Sequence, residues 1–298
     1  MKAHLLPRLI GSLLVATGSV VTGVVPPPPG VPAWRELVLD GRKLGLDTSI
    51  NIRSALLPAT QASADWLPTA AAGVVRPRGE KVLLIESRAK LAGRVFDERL
   101  WLDPPSGAAI QIDDTETGAR NHRRVHRLLS SGFLYEQRQP ADGEESGAPP
   151  SWTRLERSAA RFPPALPAGA VVTGVLALIG ADVLDDLHVA GDQASCIVLV
   201  QSQIEEVTVT VESAAPTAVA FVEHRAEGDL RVLGMVDTLV LAVSSRPVDE
   251  NSTASFRLFG LERAIQVVWE PRRQVPLRIS GQVRLLGQVT INLSEIRY

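Results

Sequence analysis

Beyond its first thirty or so residues this chain repeats its apolar side chains at every second position, and a chain patterned in that way buries one face only as a β-strand. The carboxyl-terminal stretch is the clearest case. Val283, Leu285, Val289, Ile291 and Leu293 fall on one side, and Arg284, Gln288, Thr290, Asn292 and Ser294 on the other. Gly281 and Gly287 interrupt it where a bend or bulge fits. Runs of the same character cover Trp34–Asp40, Leu44–Arg53, Lys81–Leu91, Val95–Leu102, Ala108–Asp113, Arg124–Leu129 and Phe133–Arg138. They continue at Cys196–Gln203, Val207–Glu212, Ala218–His224, Leu230–Val243, Phe256–Phe259, Ala264–Glu270 and Val275–Ile279. Asp40-Gly41, Ala92-Gly93, Ser131-Gly132 and Glu227-Gly228 punctuate them, which predicts short antiparallel hairpins. Helical spacing is scarce. Leu176, Ile179, Val183, Leu184 and Leu187 share a helical face over Val175–Leu187, and Ala59–Ala72 holds a turn or two between Pro58 and Pro68. The expected fold is therefore mainly β: a curved antiparallel sheet or open half-barrel with one or two short helices.

Charge and composition narrow the function classes. The net charge is −2 over 298 residues, without the basic excess of a nucleic-acid binder. One cysteine cannot form an intramolecular disulfide, and a chain of this length can bury a sufficient core without one. The amino terminus carries Lys2 and Arg8, then an uncharged apolar run, Leu9–Val25, then Pro26-Pro27-Pro28-Pro29-Gly30. That layout predicts a signal peptide over 1–25 and a proline-rich spacer over 26–33, and so a periplasmic protein, with an uncleaved amino-terminal anchor as the alternative. No later stretch reads as a transmembrane helix. Residues 34–298 are expected to form a single β domain. Loop-like Pro140–Pro150 and Arg161–Ala168 mark a possible division near 140–168.

Chemistry-bearing motifs are few. Nucleophile elbows, phosphate-binding loops, dinucleotide fingerprints and zinc-hydrolase helices are not found. The densest cluster is Arg120, His122, Arg123, Arg124, His126 and Arg127. His122 and His126 share a face on a strand or a helix, so a metal pair or an anion site is conceivable, although a third metal ligand is not apparent. Equally, the run fits a solvent-facing strand whose charge discourages edge pairing. Asp113, Asp114 and Glu116 precede it and read as an acidic turn, and together the two segments fit a structural salt-bridge network. Asp237 falls in the apolar Leu230–Val243 run and reads as a hydrogen-bonded buried carboxyl or one at a bend. Cys196 reads as a buried small hydrophobe. No catalytic residue, cofactor or metal is assigned, and the basic cluster stands as a candidate contact patch.

Several segments together carry a resemblance. They are Trp34-Arg-Glu-Leu-Val-Leu-Asp-Gly with Leu44-Gly-Leu, Arg123-Arg-Val-His-Arg with Gly132-Phe-Leu-Tyr-Glu, and Ser151-Trp-Thr153. Val236-Asp-Thr-Leu239, Trp269 through Pro276, and Gly287 through Leu293 complete the set. In these the chain resembles a family of exported bacterial β proteins of unknown function, similar in shape to the lipoprotein-carrier half-barrels. The opening glycine spacing, Gly41 and Gly45, departs from that family's pattern. The resemblance implies a curved sheet wrapping a helix over an apolar cavity. Strands that read as apolar on both faces, notably Leu230–Val243, and the scarcity of catalytic constellations lead to the expectation of a periplasmic protein that is not an enzyme and binds an apolar or amphipathic ligand on a curved β-sheet, with lipid or a cell-envelope protein as partner. The alternative is a structural or assembly factor of the envelope acting through protein contacts.

Overall fold

The computed structural model describes residues 30–298 apart from 44, 92, 119, 120, 181 and 285. The expected export segment, half of the spacer, and Arg120 lie outside the described residues. Fifteen strands form one hydrogen-bonded sheet. Its first wing is a meander of β1 (Glu36–Lys43), β2 (Leu46–Pro58), β3 (Lys81–Leu91), β4 (Arg94–Asp103), β5 (Ala108–Thr117), β6 (His122–Leu129), β7 (Gly132–Gln139) and β8 (Arg154–Arg161). The second wing consists of β9 (Val172–Thr173), β10 (Gln193–Val200), β11 (Gln203–Arg225), β12 (Gly228–Pro247), β13 (Arg263–Glu270), β14 (Val275–Val283) and β15 (Gly287–Arg297). The wings join where β1 pairs with β15, Glu36 opposite Arg297 and Asp40 opposite Asn292. The first and last strands thus lie side by side in the interior of the sheet. Two pairings are parallel, β9 with β10 and the end of β11 with the end of β15, so the sheet is mixed rather than wholly antiparallel. Through the second of these, strands β11 to β15 form a closed loop of pairings.

The main core is one cluster that draws Leu37, Ile50, Ile85 and Leu100 from the first wing and Val209, Leu241, Ile279 and Ile291 from the second. A smaller cluster on the opposite face places Val82, Trp101 and Ile110 under Ala62 of the single-turn helix α1 (Ala59–Ala62), with Trp66 packed against them. Around these residues β3 to β5 are covered on both faces, and there the apolar residues run consecutively, as in Val82–Ile85 and Leu100–Leu102.

The helical expectation at Val175–Leu187 shrinks to one α turn, α2 (Ala177–Gly180), and a 3₁₀ turn at Asp182–Leu184. Leu176, Ile179, Leu184 and Leu187 are buried as the spacing requires, but so is every residue of α2. The turn lies so close to the sheet that a Cβ on Gly180 would come within 2.6 Å of the Ile85 side chain. A longer helix carrying side chains on that side has no room there. Ala59–Ala72 likewise holds α1 and a 3₁₀ turn, Ser63–Asp65.

Several strand expectations change. The carboxyl-terminal run is two strands, β14 and β15, with Gly287 at φ +70 opening the second. Val289, Ile291 and Leu293 are buried while Gln288, Thr290 and Asn292 are exposed, as the alternation demands. The β1–β15 register then shifts at Val38/Leu39, and this bulge leaves Ile296 fully buried although its numbering parity matches Asn292. Val207–Glu212 and Ala218–His224 are one strand, β11, and Phe256–Phe259 forms only an isolated bridge from Leu258 to Leu261. Asp40-Gly41 lies inside β1, not in a turn. The edge strand β8 had no alternation to betray it, since all eight of its residues are exposed.

Candidate functional site

Strand β6 carries the basic run, and it lies between β5 and β7. The run is therefore not a solvent-facing edge: His122, His126 and Arg127 are 6%, 1% and 4% exposed, and Arg123 and Arg124 are partly buried. Alternation divides it between the two faces. Arg123, Val125 and Arg127 point to the outer face, and His122, Arg124 and His126 to the inner.

On the outer face the arginines serve structure. Arg123 donates to both Asp113 carboxylate oxygens, at 2.9 and 2.5 Å, and that hydrogen-bonded pairing raises the guanidinium pKa further. Arg127 donates to the carbonyls of Ile110 and Val75 and lies over the Trp66 ring at 4.8 Å. Burial lowers its pKa to about 10, with Arg76 adding to the effect. Glu136 on β7 accepts from Arg138 and Arg157 at 2.9 and 2.8 Å. The acids Asp113, Asp114 and Glu116 stand in β5 rather than in a turn, and the salt-bridge network expected between them and the basic run is present.

On the inner face, register sets Ser87, Glu98, Asp114, Arg124 and Gln137 in one row across β3 to β7. Asp114 is 3.8 Å from Arg124 and 3.7 Å from His122 Nε2, and Glu116 pairs with Arg94. Glu98 faces Asp114 directly. Burial, with the Asp114 charge adding to it, pushes its carboxyl up to about 8. In the next row His126 packs against Phe133 and Tyr135, at 5.5 and 5.1 Å between ring centres. Its Nε2 is 3.0 Å from Ser202 Oγ on the β10–β11 turn, so it ties the two wings together, while its Nδ1 has no partner among the described residues. Burial holds its pKa down to about 4. A cavity of about 100 Å³ lies over these groups, bordered by Phe96 and Phe259.

The His126–Ser202 contact has the composition of a base and a hydroxyl nucleophile. A histidine whose pKa is near 4 is a poor base at neutral pH, however, and Nδ1 lacks the orienting acceptor that such a pair needs. Among the described residues no group of three histidine, cysteine or acidic side chains could hold a metal ion. The Cys196 thiol is half-buried and pushed up to about 12 by that burial, which suits packing and not reaction.

A second feature went unrecognised in the sequence. The β11–β12 hairpin continues far beyond β10, which ends its pairing at Thr210. Ala218 and Ala220 of β11 face Met235 and Leu233 of β12 on one side of this ribbon. Leu233 is 61% and Met235 64% exposed, and Leu230 near the tip is 49% exposed. Asp237, expected as a buried hydrogen-bonded carboxyl or one at a bend, lies within β12 and is exposed at the margin of this face, opposite Pro216. The signal lay in the uncharged stretch Ser213–Val222, but alternation alone does not tell a covered strand from a bare one. Only Gly234, at φ +133, breaks the regular backbone of this part of β12.

The chain matches no family model, no curated protein and no solved structure.

Proposed function

We propose that this is an exported cell-envelope protein that works by contact with an apolar or amphipathic surface, and that the β11–β12 hairpin is its contact element. The observation that carries this reading is the exposure of Leu233 and Met235 on an otherwise uncharged ribbon face, since soluble proteins rarely leave contiguous large aliphatic side chains in water. Two further observations support it. Core side chains pack α2 against the sheet, with Gly180 close on Ile85, and this favours a surface site for an apolar partner. The inner-face cluster lacks a competent base and a metal set, and so favours a binding role over turnover. Export remains part of the proposal on the strength of the Leu9–Val25 run.

The test is photo-cross-linking in intact cells from a benzoylphenylalanine placed at Met235, with a second probe at Thr290 on the exposed face of β15. Adducts to lipid or to an envelope protein from position 235 but not 290 are expected. Equal labelling at both positions, or none at 235, would overturn the reading.

A further inference from the structure

We propose that the exposed face of the β11–β12 hairpin docks on a lipid bilayer. This rests on the reading of the hairpin as the contact element, and it names the partner. The first argument is the chemistry of the face. Ala218, Ala220, Leu233 and Met235 present small and flexible aliphatic groups on an extended ribbon, bounded by Arg231 toward the tip and Asp237 at the other end. Such a face offers no hydrogen-bonding side chain between those two charges. A partner recognised by it must reward burial without direction, as the interfacial region of a bilayer does.

The second argument is where the described chain begins. The Arg35 amide donates to the Arg297 carbonyl at 2.7 Å, and Arg297 lies opposite His224 of β11. Residue 35 is therefore two strands, about 10 Å, from the tip end of the hairpin. The apolar run ends at Val25, and the nine residues from there to Trp34 can span at most about 30 Å. Where that run stays attached as an uncleaved amino-terminal anchor, it is tethered within reach of the exposed hairpin face, and both elements then address one membrane surface.

The charges around the tip bear on which lipids are needed. Arg225 donates to Glu223, which leaves Arg231 against Glu227 and Asp229, and Asp229 is itself bonded to His224 at 2.7 Å. This rim has no basic excess to attract anionic headgroups, so docking should depend on apolar burial and be insensitive to salt.

The experiment uses the full chain with Cys196→Ala and a single cysteine at Met235→Cys, labelled with an environment-sensitive fluorophore. The same label at Thr290→Cys is the reference. With phosphatidylcholine vesicles, a blue shift and quenching by brominated acyl chains are expected at 235 and not at 290. The signal should be unchanged by added phosphatidylglycerol or by 0.5 M salt, and lost on Leu233→Glu even where the amino-terminal run keeps the chain on the vesicles. No quenching at 235, or equal quenching at both positions, overturns the bilayer inference. Cross-links from 235 to an envelope protein without vesicle quenching would overturn it too, and would leave the contact reading standing. Absence of both signals overturns both.

Discussion

Glu98 and His126 stand in adjacent rows of the inner face and make opposite contributions to the pH dependence of stability. The Glu98 carboxyl is raised to about 8 from 4.5, so the folded state holds its proton more tightly than the unfolded chain does. Its contribution is fully present below pH 4.5 and is lost as the pH rises through 8. For His126, lowered to about 4 from 6.5, the contribution is fully present above pH 6.5 and is lost as the pH falls through 4. Glu98→Gln keeps the shape of the side chain and removes the first of these slopes. Its urea midpoint should match that of the parent at pH 4.5 and exceed it at pH 8.5. Equal midpoints at both values would mean that Glu98 is solvated and ionises freely. The sequence showed these residues only as one acid among many and as half of a histidine pair. Which strand lies beside which decides that Glu98 meets Asp114 while His126 meets Ser202, and no local pattern encodes that.

At the scale of the element, strand content was legible because alternation is a local property of consecutive residues. Lys81–Leu91 is bounded in the structure as the pattern bounds it. Bulges and bare strands were not legible, because each depends on a neighbour. In β15 the shift opposite Val38/Leu39 turns Ile296 into the core. Ile296→Ala should therefore cost about 2–5 kcal/mol in chemical unfolding, whereas Thr290→Ala, on the exposed face, should stay within about 0.5 kcal/mol. A small effect at Ile296 would show that alternation continues through the bulge. The β11–β12 hairpin teaches the converse. Leu233 and Met235 fit the apolar pattern of a buried strand, yet nothing covers them in the described structure. A charge at Leu233, as in Leu233→Glu, should leave thermal stability nearly unchanged while abolishing contact with the apolar partner.

For the whole molecule, one core cluster crosses both wings, and β1–β15 pairing joins the ends of the described chain. Closing so long a loop is entropically slow, so folding should be slow for a domain of this size. Calorimetry should show one cooperative unfolding transition. Two transitions, with only one of them sensitive to Ile296→Ala, would divide the chain near 140–168. What the sequence determined by itself was the class of structure, since alternation, turn residues and the lack of helical spacing act within a few residues of one another. It also set the expectations about function, through a near-neutral charge and an apolar amino-terminal run. The tertiary structure alone decided that β6 is interior, that Arg127 donates to the carbonyls of Ile110 and Val75 while His126 meets the Ser202 hydroxyl, and that among the described residues an apolar ribbon stands uncovered. Those outcomes depend on pairings across tens to hundreds of residues, where the free energy of burial is shared among distant side chains and leaves no mark on any one segment.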